Sequence, residues 1–131
     1  MLDASAAVEW LLGRPGAQHV AERITAAEVS IHAPSFLGVE VAQALRRLIA
    51  GGHMSDDRGQ IAISDLTATG VALHDPDVLL NRIWDLRNNL SAYDAAYVAL
   101  AEVLGATLLT ADARISRAPG TNATVEVITI D

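Results

Sequence analysis

The chain has 131 residues, 51% of them apolar, a formal net charge of −7 and no cysteine. This is the size of one ordinary domain with enough apolar side chains to bury a core, so a single domain spanning residues 1–131 is expected. Without cysteine there is no disulfide framework, thiolate nucleophile or cysteine-held zinc. All nine basic residues are arginine, which also excludes lysine chemistry such as a Walker phosphate loop, a Schiff base or receiver-type phosphotransfer.

Met1-Leu2 reads as a clipped strand leading straight into Asp3, and Ser5 to Leu12 as a first helix with Gly13 and Pro15 as stop signals. A second helix covers Ala17 to Ala26. Val29 to Ala33 is a short strand ending at Pro34, after which Ser35 is placed to cap a helix running to Gly51-Gly52. The apolar stripe of that helix is Leu37, Val41, Ala44, Leu45 and Leu48. Ser55-Asp56-Asp57 opens another helix ending near Gly70, with acidic residues suited to its start, and Val71 to His74 is the third strand. Asp75-Pro76-Asp77 begins a helix through Leu86, and Ser91 begins the next, carrying Ala95, Val98, Ala99 and Leu100 up to Gly105. Thr107 to Thr110 is a buried strand, a helical turn holds Ile115, and Val125 to Ile130 closes the sheet. The alternation implies an α/β fold with a parallel sheet covered on both faces. No apolar run is long enough to span a bilayer and the start lacks a signal-peptide layout, so a soluble, cytoplasmic protein without membrane contact is expected.

Ligands of open parallel sheets bind beyond the carboxyl ends of the strands, where the strand order reverses. Of the 16 acidic residues, Asp3 directly follows the first strand and Asp112 follows the fourth after one alanine. Glu40, between Val39 and Val41, and Asp94 each lie about one turn into a helix that starts at the same edge. Four carboxylates can therefore converge. Such a cluster raises the pKa of its own members unless a cation intervenes, and oxygen donors without cysteine or a paired histidine motif favour Mg2+ or Mn2+ over zinc. A metal there could bind a scissile phosphate and lower the pKa of water. It would also answer the objection that an acidic chain grips nucleic acid poorly. Each residue alone has a plainer reading. Ser91 and Asp94 stand three apart as in a capping box, Asp3 and Asp112 suit turns or caps, and Glu40 could be a solvated helix residue.

Taken together, four segments resemble those of PIN domains, and within them the VapC-type toxins of toxin–antitoxin pairs. These are Leu2-Asp3-Ala4-Ser5-Ala6, Pro34-Ser35-Phe36-Leu37-Gly38-Val39-Glu40-Val41, Leu90-Ser91-Ala92-Tyr93-Asp94-Ala95-Ala96-Tyr97 and Leu109-Thr110-Ala111-Asp112. Similar proteins often carry a longer apolar run before the first aspartate, where this chain has only Met1 and Leu2. The resemblance implies a three-layer α/β/α fold with sheet order 3-2-1-4-5. It implies a Mg2+- or Mn2+-dependent endoribonuclease using Asp3, Glu40, Asp94 and Asp112, with the hydroxyls of Ser5 and Thr110 orienting the carboxylates. It further implies a homodimer, an RNA substrate and silencing by a VapB-type antitoxin, for which Val8, Leu11, Leu12 and Leu45 are candidate contacts. The alternative is a PIN-like scaffold that binds RNA or protein without cutting.

Other residues carry weaker signals. Arg87, Arg114 and Arg117 could touch phosphate, although surface arginines are common. Trp10, Trp84, Tyr93 and Tyr97 fall in helical patterns and read as core or interface positions rather than base-stacking platforms, since the chain is only 4% aromatic. His19, His32, His53 and His74 share no ligand spacing and read as structural or surface residues.

Overall fold

In a computed structural model, residues 1–129 are described. The described residues form a three-layer α/β/α domain of seven α-helices, four short strands and one 3-10 turn. Helices α1 (Ala4–Leu11), α2 (Ala17–Ile24), α3 (Leu37–Ala50) and α4 (Asp56–Ala68) pack on one another, while α5 (Leu80–Asp85) packs on α6 (Ala92–Leu104). The strands β1 (His32–Pro34) and β2 (Ala72–His74) form one parallel ladder, and β3 (Leu108–Thr110) and β4 (Val125–Val127) form another. The short helix α7 (Ala113–Arg117) lies between β3 and β4 in sequence. Of the closing strand expected over Val125 to Ile130, the part up to Val127 is formed, and Ile130 lies outside the described residues.

The clipped first strand is reduced to a seam between the two ladders. Leu2 forms a single parallel bridge with Leu109, and its N–H donates to the His32 carbonyl on the opposite side (3.1 Å). Asp3 N–H donates to the Leu109 carbonyl (3.2 Å), and Leu109 N–H to that of Met1 (2.9 Å). Leu2 is fully buried, so the seam is held by apolar burial as well as by backbone pairing.

Helix α6 explains much of the core. Seven consecutive residues, Ala95 to Ala101, are buried, and four of them are alanine, which lets this helix approach β1 and β3 closely. Ser91 caps it by accepting from Asp94 N–H, and Gly105 ends it in the left-handed conformation (φ 60°) that glycine adopts without steric cost.

Two local expectations need correction. Ser35 does not cap α3: the helix begins one residue later than expected, with Phe36 at the cap position and no side-chain cap, while the Ser35 N–H donates to the His74 carbonyl (2.8 Å) beyond the β1–β2 ladder. The helix expected over Asp75 to Leu86 is divided: the Asp75 carboxylate accepts from Asp77 N–H and tightens the first turn into a 3-10 segment over Pro76–Leu79. Leu79 then departs from helical angles before α5 begins.

Candidate active site

Asp3 is at the carboxyl end of the Leu2 seam and caps α1. Its Oδ1 accepts from Ala6 N–H (2.9 Å) and from the Ser5 hydroxyl (2.7 Å). The Ser5 oxygen in turn accepts from Ala111 N–H (2.9 Å) and is 3.3 Å from the Thr110 hydroxyl. Thr110 accepts from Asp112 N–H (3.0 Å). Ser5 and Thr110 thus tie the start of α1 to the end of β3.

Only 5% of Asp3 is exposed. Burial pushes its carboxyl above the ordinary carboxylate value, the Thr110 hydroxyl, Ala6 amide and Ser5 hydroxyl pull it down, and the negative charge of Asp94 pushes it up again. Glu40, one turn into α3, accepts a 2.7 Å hydrogen bond from the hydroxyl of Tyr97, a side chain 1% exposed. Its carboxyl is also raised, chiefly by burial and further by Asp94 and Asp3, with Tyr97 opposing. Asp94, in the first turn of α6, is raised by burial and by Asp112, against the Ser91 hydroxyl and Arg114. The charge of Asp94 thus acts on both Asp3 and Glu40, and none of the three has a salt-bridge partner among the described residues.

Asp112 stands apart in character. It caps α7, and Arg114 folds back onto it with Nη2 2.6 Å from Oδ2 and Nε within reach of both oxygens. These bonds hold the Asp112 carboxyl below its ordinary value. Asp112 still faces the group electrostatically, since its charge raises Asp94. Arg114 is thus a carboxylate partner, and Arg87 lies over the Trp84 ring at 4.7 Å.

Hard carboxylate oxygens with surplus negative charge suit Mg2+ or Mn2+ in their chemistry. Among the described residues, however, no three histidine, aspartate or glutamate side chains stand close enough together to hold one ion. The carboxylates fit a divalent cation as donors, not as a preformed cage.

The family model described as PIN domain matches residues 1–120. The chain belongs to the PIN domain family. This PIN domain is 36% identical over 128 residues to Ribonuclease VapC12 of Mycobacterium tuberculosis, covering 98% of both chains. It is 40% identical over 116 residues to Ribonuclease VapC9 of the same organism, covering 88% of this chain and 87% of that one. In fold it is similar to the crystal structure of PAE2754 from Pyrobaculum aerophilum, with a TM-score of 0.65 and 21% identity over 95% of this chain and 87% of that one.

Two further features of this PIN domain were not visible as site features in the sequence. Tyr97 belongs to the core as its pattern predicts, yet its hydroxyl holds Glu40; its place three residues after Asp94, on the same helical face, was the available signal. Phe36 stands edge-to-face with both Tyr93 (5.2 Å) and Tyr97 (5.6 Å), joining the starts of α3 and α6. The suggested contact positions Val8, Leu11 and Leu45 are buried in the core, and only Leu12 keeps partial exposure, because α1 turns its apolar side inward against α2 and α3. Among the histidines, His19 bonds Glu126 and His32 bonds His74.

Proposed function

We propose that this chain is a single-domain, cytoplasmic endoribonuclease that hydrolyses RNA phosphodiester bonds with Mg2+ or Mn2+ and acts as a homodimeric toxin neutralised by a VapB-type antitoxin. The observation that carries the reading is the group Asp3, Glu40 and Asp94, three partly or wholly buried carboxylates whose pKa values burial raises and none of which has a salt-bridge partner among the described residues, in a PIN domain whose relatives are VapC ribonucleases. Among the described residues, no helix is long and apolar enough to cross a membrane.

In this reading Asp3, Glu40, Asp94 and Asp112 hold the cation. When bound, Mg2+ or Mn2+ supplies charge neutralisation at the phosphate and acidifies water. The chain's own residues do the positioning. Ser5 and the Ala6 amide fix the Asp3 rotamer through Oδ1, and Tyr97 fixes Glu40 through Oε1. Thr110 aligns the Asp112 backbone with Ser5. Arg114 must yield part of its grip on Asp112 for that carboxylate to join the others.

A second reading, a PIN scaffold that binds without cutting, draws on the absence of a three-ligand group among the described residues and on the Asp112–Arg114 pair. Incubating the protein with total RNA and Mn2+ or Mg2+, with and without EDTA, separates the two. Discrete, chelator-sensitive fragments that an Asp94→Asn variant does not produce support the nuclease. Intact RNA throughout, with no metal binding by calorimetry, sinks it in favour of the scaffold.

A further inference from the structure

The chain has five aromatic residues of the Phe, Trp and Tyr types, and three of them, Phe36, Tyr93 and Tyr97, form one contiguous group at the carboxylate edge. Tyr97 is buried and bonded to Glu40, and Phe36 is half-buried at right angles to both tyrosines. Tyr93, next to Asp94 in the chain, is 59% exposed. Folding gains little from so exposed a ring, since the transfer of apolar surface out of water is largely forgone. The ring is nevertheless held in place, because Phe36 packs against it and Tyr97 packs against Phe36.

We propose that the exposed ring of Tyr93, backed by Phe36, is a stacking platform for an unpaired nucleobase of the RNA held at the neighbouring carboxylates. The inference rests on the ribonuclease reading and adds to it how the substrate is gripped. A chain of net charge −7 without a single lysine cannot rely on phosphate contacts for affinity, whereas base–aromatic stacking is indifferent to net charge and tolerant of sequence. A ring already fixed by its neighbours also loses little freedom on binding. Its position beside Asp94 would set the base next to the scissile linkage, so the platform would orient the strand as well as hold it.

The test uses the full-length protein in EDTA, titrated with a short, end-labelled single-stranded RNA of mixed sequence and with the same oligomer made abasic throughout. Tyr93→Ala is expected to weaken binding of the base-bearing oligomer about tenfold, the scale of one lost stack, while Tyr93→Phe stays within about twofold. The abasic oligomer should bind all three proteins equally. Thermal melting should be unchanged, since Tyr93 is exposed. Equal affinity of Tyr93→Ala and the parent for the base-bearing oligomer overturns the platform. So does a Tyr93→Ala variant that loses affinity only for an arginine-rich peptide, which would assign the ring to a protein partner. Manganese-dependent cleavage of total RNA judges the underlying reading separately. Cleavage by the parent alongside undiminished affinity in Tyr93→Ala sinks the platform alone, whereas a parent that neither binds nor cuts RNA sinks both.

Discussion

The two ends of helix α6 hold carboxylates in opposite circumstances. Near its end, Glu102 receives Nε and Nη2 of Arg82 at 2.8 and 2.9 Å and the Asn122 amide at 2.7 Å, and is held below its ordinary pKa. Near its start, Asp94 has only its capping contacts, is pressed by Asp112, and is held above its ordinary value. The helix dipole alone would favour the reverse, since it stabilises negative charge at the start and opposes it at the end. Arginine placement overrides the dipole at one end, and burial among like charges overrides it at the other. Glu126, bonded to His19 and Arg23, follows the Glu102 pattern. Glu102 and Glu126 are neutralised by the chain itself, whereas Asp3, Glu40 and Asp94 have no salt-bridge partner among the described residues.

The sharpest break of this contrast is Glu40→Gln, which keeps the shape of the cleft and removes one of its charges. RNA cleavage in Mn2+ should fall about 10³-fold, corresponding to several kcal/mol of lost transition-state stabilisation. Cleavage at the parent rate would show that the unpaired carboxylates are not catalytic. Tyr97→Phe preserves the packing and deletes the hydroxyl that orients Glu40; a loss of about 10- to 100-fold in Mn2+ affinity by calorimetry is expected, as for other groups that orient metal-binding side chains.

At the other end of α6, Arg82→Ala should cost about 1–2 kcal/mol in urea unfolding, the range for charge-assisted hydrogen bonds discounted for partial exposure. Because the folded-state pKa of Glu102 is depressed, that contribution is present above its ordinary value of 4.5 and is lost as pH falls through the folded-state value. The gap between parent and variant should therefore close in acid. Asp94→Asn should act with the opposite sign. A raised folded-state pKa means that ionised Asp94 opposes folding above that value and ceases to do so below its ordinary 3.8. In EDTA at neutral pH the variant should melt roughly 3 °C higher than the parent, the gain should vanish toward pH 3, and added Mn2+ should stabilise the parent more than the variant. A variant that melts lower at neutral pH would mean that its capping role outweighs the repulsion.

The sequence made much of this legible because short strands ended in acidic residues are visible without coordinates. Asp3 after Leu2 and Asp112 after Thr110 announce a sheet edge, and Ser91 with Asp94 announces a helix start. What stayed hidden depended on contacts distant in sequence. The Tyr97–Glu40 bond joins residues 57 apart, and the local spacing from Asp94 places Tyr97 on the same helical face without showing that its hydroxyl reaches Glu40. Ser35 looks like a cap, but α3 starts one residue later, with Phe36 at the cap position. The burial of Val8, Leu11 and Leu45 follows from α1 being enclosed by α2 and α3, whereas a helical stripe alone says that a face is apolar and leaves open what covers it. In the sequence Arg114 is one of several surface arginines that could touch phosphate, and only the fold shows it turning back on Asp112.

The seam at Leu2 has a consequence for how the protein comes into being. Asp3 cannot take up its position until Leu109 is available to accept its amide, and contacts spanning so much of the chain form late compared with local helices. A polypeptide still emerging from the ribosome would already carry most of its acidic residues and several formed helices, yet it would have no assembled cleft. The proposed site is thereby assembled only once the segment around Leu109 has been made.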